Sequence, residues 1–127
     1  MYSIEQTHYG VKLVFSDFIG PEEMTRYKAD FRKALDSLPN QFGLMSDMRS
    51  LKPLPQESQD ILSANPEWTA NRIVRSATII DSMLIKMQAR RLATEWKQNE
   101  SKRLVDASKH ANWEEIAIAW IADGKEP

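Results

Sequence analysis

Two short runs at the start of the chain alternate apolar with polar positions: Tyr2–His8, and Val11–Phe15, where Val11, Leu13 and Phe15 bracket Lys12. A period of two is that of a strand with one buried face, and Tyr9-Gly10 between the runs is a hairpin signal. The period then changes. After Gly20-Pro21-Glu22-Glu23, the residues Met24, Tyr27, Phe31, Ala34, Leu35 and Leu38 recur at three- and four-residue spacing, an amphipathic helix. Its proline suits the first helical position and its carboxylates the positive end of the dipole. Leu38-Pro39-Asn40 stops it. Phe42–Met48 reads as a third strand, and Pro55-Gln56-Glu57 opens a helix carrying Ile61 and Leu62. Asn65-Pro66-Glu67 is a second, short helical start. Ile73–Asp81, with Val74, Ala77, Ile79 and Ile80, reads as a strand buried on both faces toward its end. Ser82 is placed to cap a long helix through about Lys97, with Leu84, Ile85, Gln88, Leu92 and Trp96 along one side. Lys102–Asp106 is a short strand. Asn112 and Glu115 have capping-box spacing before a last helix that presents Trp113, Ile116, Ala117, Trp120 and Ile121.

The order β-β-α-β-α-β-α-β-α predicts an α/β fold with right-handed crossovers. The expectation is a single domain over 1–127: a mixed, mostly parallel sheet of four or five strands, an N-terminal hairpin and about four covering helices. A chain of 127 residues suits one domain with a real core. A net charge of −1 argues against a general nucleic-acid binder. The absence of cysteine excludes disulfides, thiolate metal sites and a cysteine nucleophile. Glu5, His8, Lys12 and Asp17 interrupt residues 1–20, leaving no signal-peptide core, and no later segment is apolar enough to span a bilayer. A soluble, cytoplasmic protein is expected, not an integral membrane one.

Candidate chemistry concentrates in Phe42–Pro55, where a short apolar run ends in Ser46-Asp47 and a proline-punctuated polar loop follows. In an α/β protein this is how a buried strand delivers polar groups to the carboxyl edge of the sheet, where ligands and partners bind. Asp47, Arg49, Ser50 and Lys52 are the candidates to dock a partner or orient a ligand. The local reading is the favoured one: Asp47 caps N–H groups of the adjacent loop and Arg49 lies in solvent or on a helix end. A basic run of Arg72, Arg75, Lys86, Arg90, Arg91, Lys97, Lys102 and Arg103 could attract an anionic ligand, but is read first as a solvated face. Met83 and Met87, one helical turn apart, are candidates for an apolar pocket or a dimer contact. The four tryptophans read as core anchors, with Trp68 the one partly exposed. His8 and His110 show no metal-ligand spacing, and no nucleophile elbow, phosphate loop or dinucleotide fingerprint is present. No enzyme and no cofactor are expected.

Four stretches spanning nearly the whole chain resemble the SpoIIAA-like family of the STAS superfamily, also associated with the CRAL-TRIO/SEC14-like grouping. They are Phe18-Ile19-Gly20-Pro21-Glu22-Glu23, Leu44-Met45-Ser46-Asp47-Met48-Arg49, Ser76-Ala77-Thr78-Ile79-Ile80 and the closing 113–121. The resemblance implies a small α/β domain that binds protein partners or small ligands without catalysis. Sporulation antagonists of this kind are switched by phosphorylation of a serine in Asp-Ser-Ser-Gly, about ten residues past the strand's aspartate. Here that region reads Pro55-Gln56-Glu57-Ser58-Gln59. Ser58 is the nearest serine in register, without the flanking Asp and Gly, so the resemblance implies fold more than this switch. The expected role is regulatory protein–protein interaction through the loop and helix after the third strand. The alternative is a carrier or sensor of a small apolar or amphipathic, lipid-like ligand. A homodimer is a fair expectation for so small a binding domain.

Overall fold

A computed structural model describes residues 1–82, 85–88 and 101–127. Among these, five strands form one mixed sheet in chain order: β1 (Tyr2–Thr7), β2 (Gly10–Asp17), β3 (Phe42–Leu51), β4 (Ile73–Ile80) and β5 (Lys102–Asp106). β1 and β2 pair antiparallel, and β2–β3, β3–β4 and β4–β5 pair parallel. α1 (Pro21–Leu35) joins β2 to β3. α2 (Gln56–Ser63) and a 3-10 turn at Pro66–Trp68 join β3 to β4, residues 85–88 are helical, and α3 (Trp113–Asp123) follows β5.

Each parallel crossover steps one place in the same direction. Right-handed crossovers repeated in one direction put their helices on one face of the sheet. Accordingly Met24, Tyr27 and Phe31 of α1, Leu62 of α2 and Ile85 share one core with Val11, Leu13, Leu44 and Ile80. The other face is closed by α3, whose Ala117, Trp120 and Ile121 pack on Met45, Ala77, Ile79 and Val105. By strand alternation the same face of β1 and β2 carries Ser3, Glu5, Lys12 and Ser16, which need no cover. One helix therefore suffices for the second layer.

Most helix ends follow local chemistry. Pro21 opens α1 with Glu22 and Glu23 in its first turn, and the Ile85 amide donates to Ser82 Oγ at 3.2 Å, the expected cap. Asn112 makes no side-chain cap bond, so the capping box expected there is not formed. The C-terminal ends of α1 and α3 also receive arginines from β4 and the residue before it, beside the left-handed Gly124 that caps α3. Arg72 donates to the carbonyls of Leu35, Pro39 and Asn40 at 3.1, 3.0 and 3.1 Å. Arg75 donates to those of Ile121 and Ala122, both at 3.1 Å. These two members of the basic run thus do structural work, where a solvated face was expected. Arg90, Arg91 and Lys97 lie outside the described residues.

Candidate functional site

β3 continues three residues beyond Met48 to Leu51, so Asp47 stands inside the strand and not at its junction with the loop. It is 5% exposed, on the face that α3 covers. Its Oδ1 accepts the Arg49 amide at 3.1 Å and Arg49 Nε at 3.0 Å, and its Oδ2 accepts Arg49 Nη2 at 2.9 Å. The local cap and the charged pair are therefore one structure. Hydrogen bonding to Asp47 is the chief cause that raises the Arg49 pKa. The guanidinium lies 4.1 Å from the centroid of the Trp113 ring, at the first turn of α3. From β2, Lys12 Nζ reaches Glu114 Oε2 at 3.0 Å and stands 5.9 Å from the same ring. Trp113 is thus bracketed by cations from two neighbouring strands. Arg49 remains 40% exposed in its side chain. A buried carboxylate and an aromatic ring hold a permanent cation in one orientation.

Beyond Arg49 the chain enters a loop tied on both sides. The Lys52 amide donates to the Asp17 carbonyl at 3.0 Å. On the other side the Leu54 amide donates to Gln88 Oε1 at 3.1 Å, and Gln59 Nε2 donates to the Leu54 carbonyl at 3.0 Å. Arg49 and Ser50, just before these ties, and Lys52 at the first of them are exposed. Flanking them are two large apolar side chains in solvent, Phe18 at 58% and Met87 at 62% exposure. Phe18 follows Asp17, a non-glycine residue at φ 59°, in the left-handed region. The carboxyl edge therefore presents Phe18 from the loop after β2, Ser50 and Lys52 at and beyond the end of β3, and Met87 from the helical residues 85–88.

Ser58 is fully buried, its hydroxyl donating to the Ile19 carbonyl at 2.9 Å. It pins α2 to the loop before α1, a position no modifying enzyme reaches while the domain is folded. Met87 sits on the surface; Met83 lies outside the described residues. Trp68 is half-buried beneath Lys28 and Arg32, at 5.0 and 4.5 Å from its centroid. Lys28 Nζ also donates to the Leu62 and Ala64 carbonyls, and burial pulls its pKa down. At the opposite edge of the sheet a shallow groove of about 360 Å³ is lined by Gln6, His8, Tyr9, Gln41 and Phe42 among others. Among the described residues no three His, Asp or Glu side chains converge as metal ligands, and no helix is long and apolar enough to cross a membrane.

Of the sequence candidates, Asp47, Arg49, Ser50 and Lys52 are brought to one edge, while Ser58 is withdrawn into the core. Sequence reasoning missed Phe18, Lys12 and Glu114, and it read Trp113 as a core anchor. The Lys12–Glu114 pair is separated by 102 residues and leaves no local signal. Phe18 did leave one: it falls beyond the strand period and before Gly20-Pro21. The chain matches no protein-family model, no curated protein and no solved structure.

Proposed function

We propose that this chain is a non-enzymatic, cytoplasmic binding domain of the SpoIIAA-like kind. It docks a regulatory protein partner through the loop after β3 and the start of α2. The observation that carries the reading is the braced carboxyl edge. Arg49 and Ser50 at the end of β3 and Lys52 just beyond it are exposed, and the loop that follows is tied to Asp17 on one side and to Gln88 on the other. Arg49 is locked by Asp47 and Trp113, so little side-chain entropy is lost when a partner binds it. Phe18, next to the Asp17 whose carbonyl accepts from the Lys52 amide, supplies an aromatic anchor of the kind that dominates interface energetics. The α/β sheet with its opening antiparallel pair is consistent with the family resemblance, which itself implies binding without catalysis.

Affinity capture from cell extract, read by quantitative mass spectrometry, tests this. The expected outcome is one or more discrete partners lost at least about tenfold with Phe18→Ala and with the double variant Arg49→Ala/Lys52→Ala. Lys33→Ala, on the exposed last turn of α1, leaves them in place. If all captured proteins are retained equally by both variants, the edge is not the docking site.

A further inference from the structure

β1 is an outer strand of the sheet, and its free edge carries little that keeps edge strands apart, Glu5 being its one charged side chain. Its residues, Tyr2-Ser3-Ile4-Glu5-Gln6-Thr7, include no proline and no lysine, and its register with β2 is unbroken. β5, the other outer strand, is five residues long and begins with Lys102 and Arg103. Only one of the two edges is guarded.

The free groups on β1 follow from its ladder. The Ser16 amide donates to the Met1 carbonyl at 2.8 Å. Continuing that register, Ser3, Glu5 and Thr7 turn their N–H and C=O toward β2, while Tyr2, Ile4 and Gln6 turn theirs outward. The outward groups have no hydrogen-bond partner among the described residues. On the helix-covered face Tyr2 and Ile4 are only partly buried against the core, so apolar surface also stays open at this edge.

We propose that β1 pairs antiparallel with β1 of a second copy, about a two-fold axis passing beside Ile4. A two-fold axis perpendicular to the sheet keeps the helix-covered faces aligned, so each residue must meet one of the same parity. Registers centred on Ser3, Ile4 and Glu5 all join outward groups, but only the one on Ile4 joins all three on each strand, and the register on Ser3 leaves Gln6 without a partner. The register on Glu5 sets two like charges directly opposite, which is unfavourable. The register on Ile4 sets Ile4 against itself, Tyr2 against Gln6 of the other copy, and Ser3 against Glu5 of the other copy. It forms three hydrogen-bonded pairs of two bonds each and covers the open flank of Ile4. The contact is small, so the dimer is weak and reversible, with a dissociation constant on the order of 0.1 mM.

Sedimentation of the whole chain from about 10 µM to about 1 mM is the test, spanning the range of a small interface. The expected result is a concentration-dependent dimer. Ser3 lies on an exposed face, and its charge reads the register directly: Ser3→Lys tightens the dimer several-fold and Ser3→Glu weakens it several-fold, each acting at two symmetric contacts. Gln6→Pro removes an outward N–H and abolishes it, while melting at low concentration reports whether each variant is folded. A monomer throughout the range overturns the proposal, as does a dimer indifferent to all three changes. Loss with Gln6→Pro but no response to the sign of the charge at position 3 overturns the Ile4 register.

Discussion

Arg72 and Arg75 are three residues apart, yet each ends a different helix on a different face of the sheet. Arginine suits this role because its planar fork can satisfy several of the carbonyls a helix leaves unpaired, and its charge favours the negative end of the dipole. Lysines in the same fold behave differently, since a buried ammonium gives up its proton. Burial pulls Lys102 from 10.5 down to about 8, and shifts Lys28 in the same direction. Between those values the unfolded chain holds more protons than the folded one, so stability rises with pH. Burial raises the pKa of Tyr27, so above its ordinary value of 10.0 the folded state holds the extra proton and stability falls. The urea midpoint is therefore expected to climb between about pH 7.5 and 9.5, by the equivalent of about 1–2 kcal/mol, and then to turn down. Lys102→Gln should flatten most of the climb; a variant that climbs as steeply as the parent would remove Lys102 as its source.

At the scale of elements, the seat of α3 on β3 depends on two glycines paired in register, Gly10 and Gly43. A Cβ on Gly43 would stand 2.2 Å from Ile121 Cγ2 and 2.8 Å from the Tyr9 carbonyl. A Cβ on Gly10, whose φ is 144°, would meet the Gly43 carbonyl oxygen at 2.0 Å. Gly43→Ala is expected to cost about 1–3 kcal/mol in chemical denaturation through overpacking. Adding Ile121→Ala should recover part of that, because the obstructing methyl leaves with it; strict additivity in the cycle would refute the contact. Gly10→Ala meets backbone and should find no such relief. The braced loop after β3 belongs to the same scale. Its ties to Asp17 and Gln88 hold the exposed Ser50–Lys52 segment still while leaving its side chains free.

For the whole molecule, one face of the sheet receives α1, α2 and Ile85, and the other, over β3, β4 and β5, is covered among the described residues by α3. Trp120 is the centre of that second core: its Nε1 donates to the Ser76 carbonyl at 2.9 Å, and Arg103 lies 4.2 Å over its ring. Trp120→Ala should cost about 3–5 kcal/mol, a large share of the roughly 5–15 kcal/mol typical of a domain. Loss of a cooperative melt and binding of a hydrophobic dye are the expected readouts. Trp113→Ala, at the half-buried start of the same helix, should melt cooperatively; equal damage from both would mean that α3 is held as much by its first turn as by its core.

Periodicity by itself determined the α/β class, the places of all five strands and the helices that open at Pro21, Gln56 and Trp113. It could do so because a buried face repeats along the chain at the spacing of the local backbone. The third strand came out short because Arg49 and Ser50 are exposed and break the apolar pattern, although the ladder continues to Leu51. Among the candidate residues, Asp47, Arg49, Ser50 and Lys52 were legible from composition around a strand end. That Asp47 grips Arg49 under Trp113, and that Ser58 is sealed against Ile19, was not. An amphipathic helix announces that it has a buried side, but which face of the sheet receives it depends on crossover handedness and strand order. Tertiary structure alone decided the Trp113 and Ile19 contacts, because they join residues that become neighbours only after long loops close, whereas Asp47 and Arg49 are neighbours already in the chain.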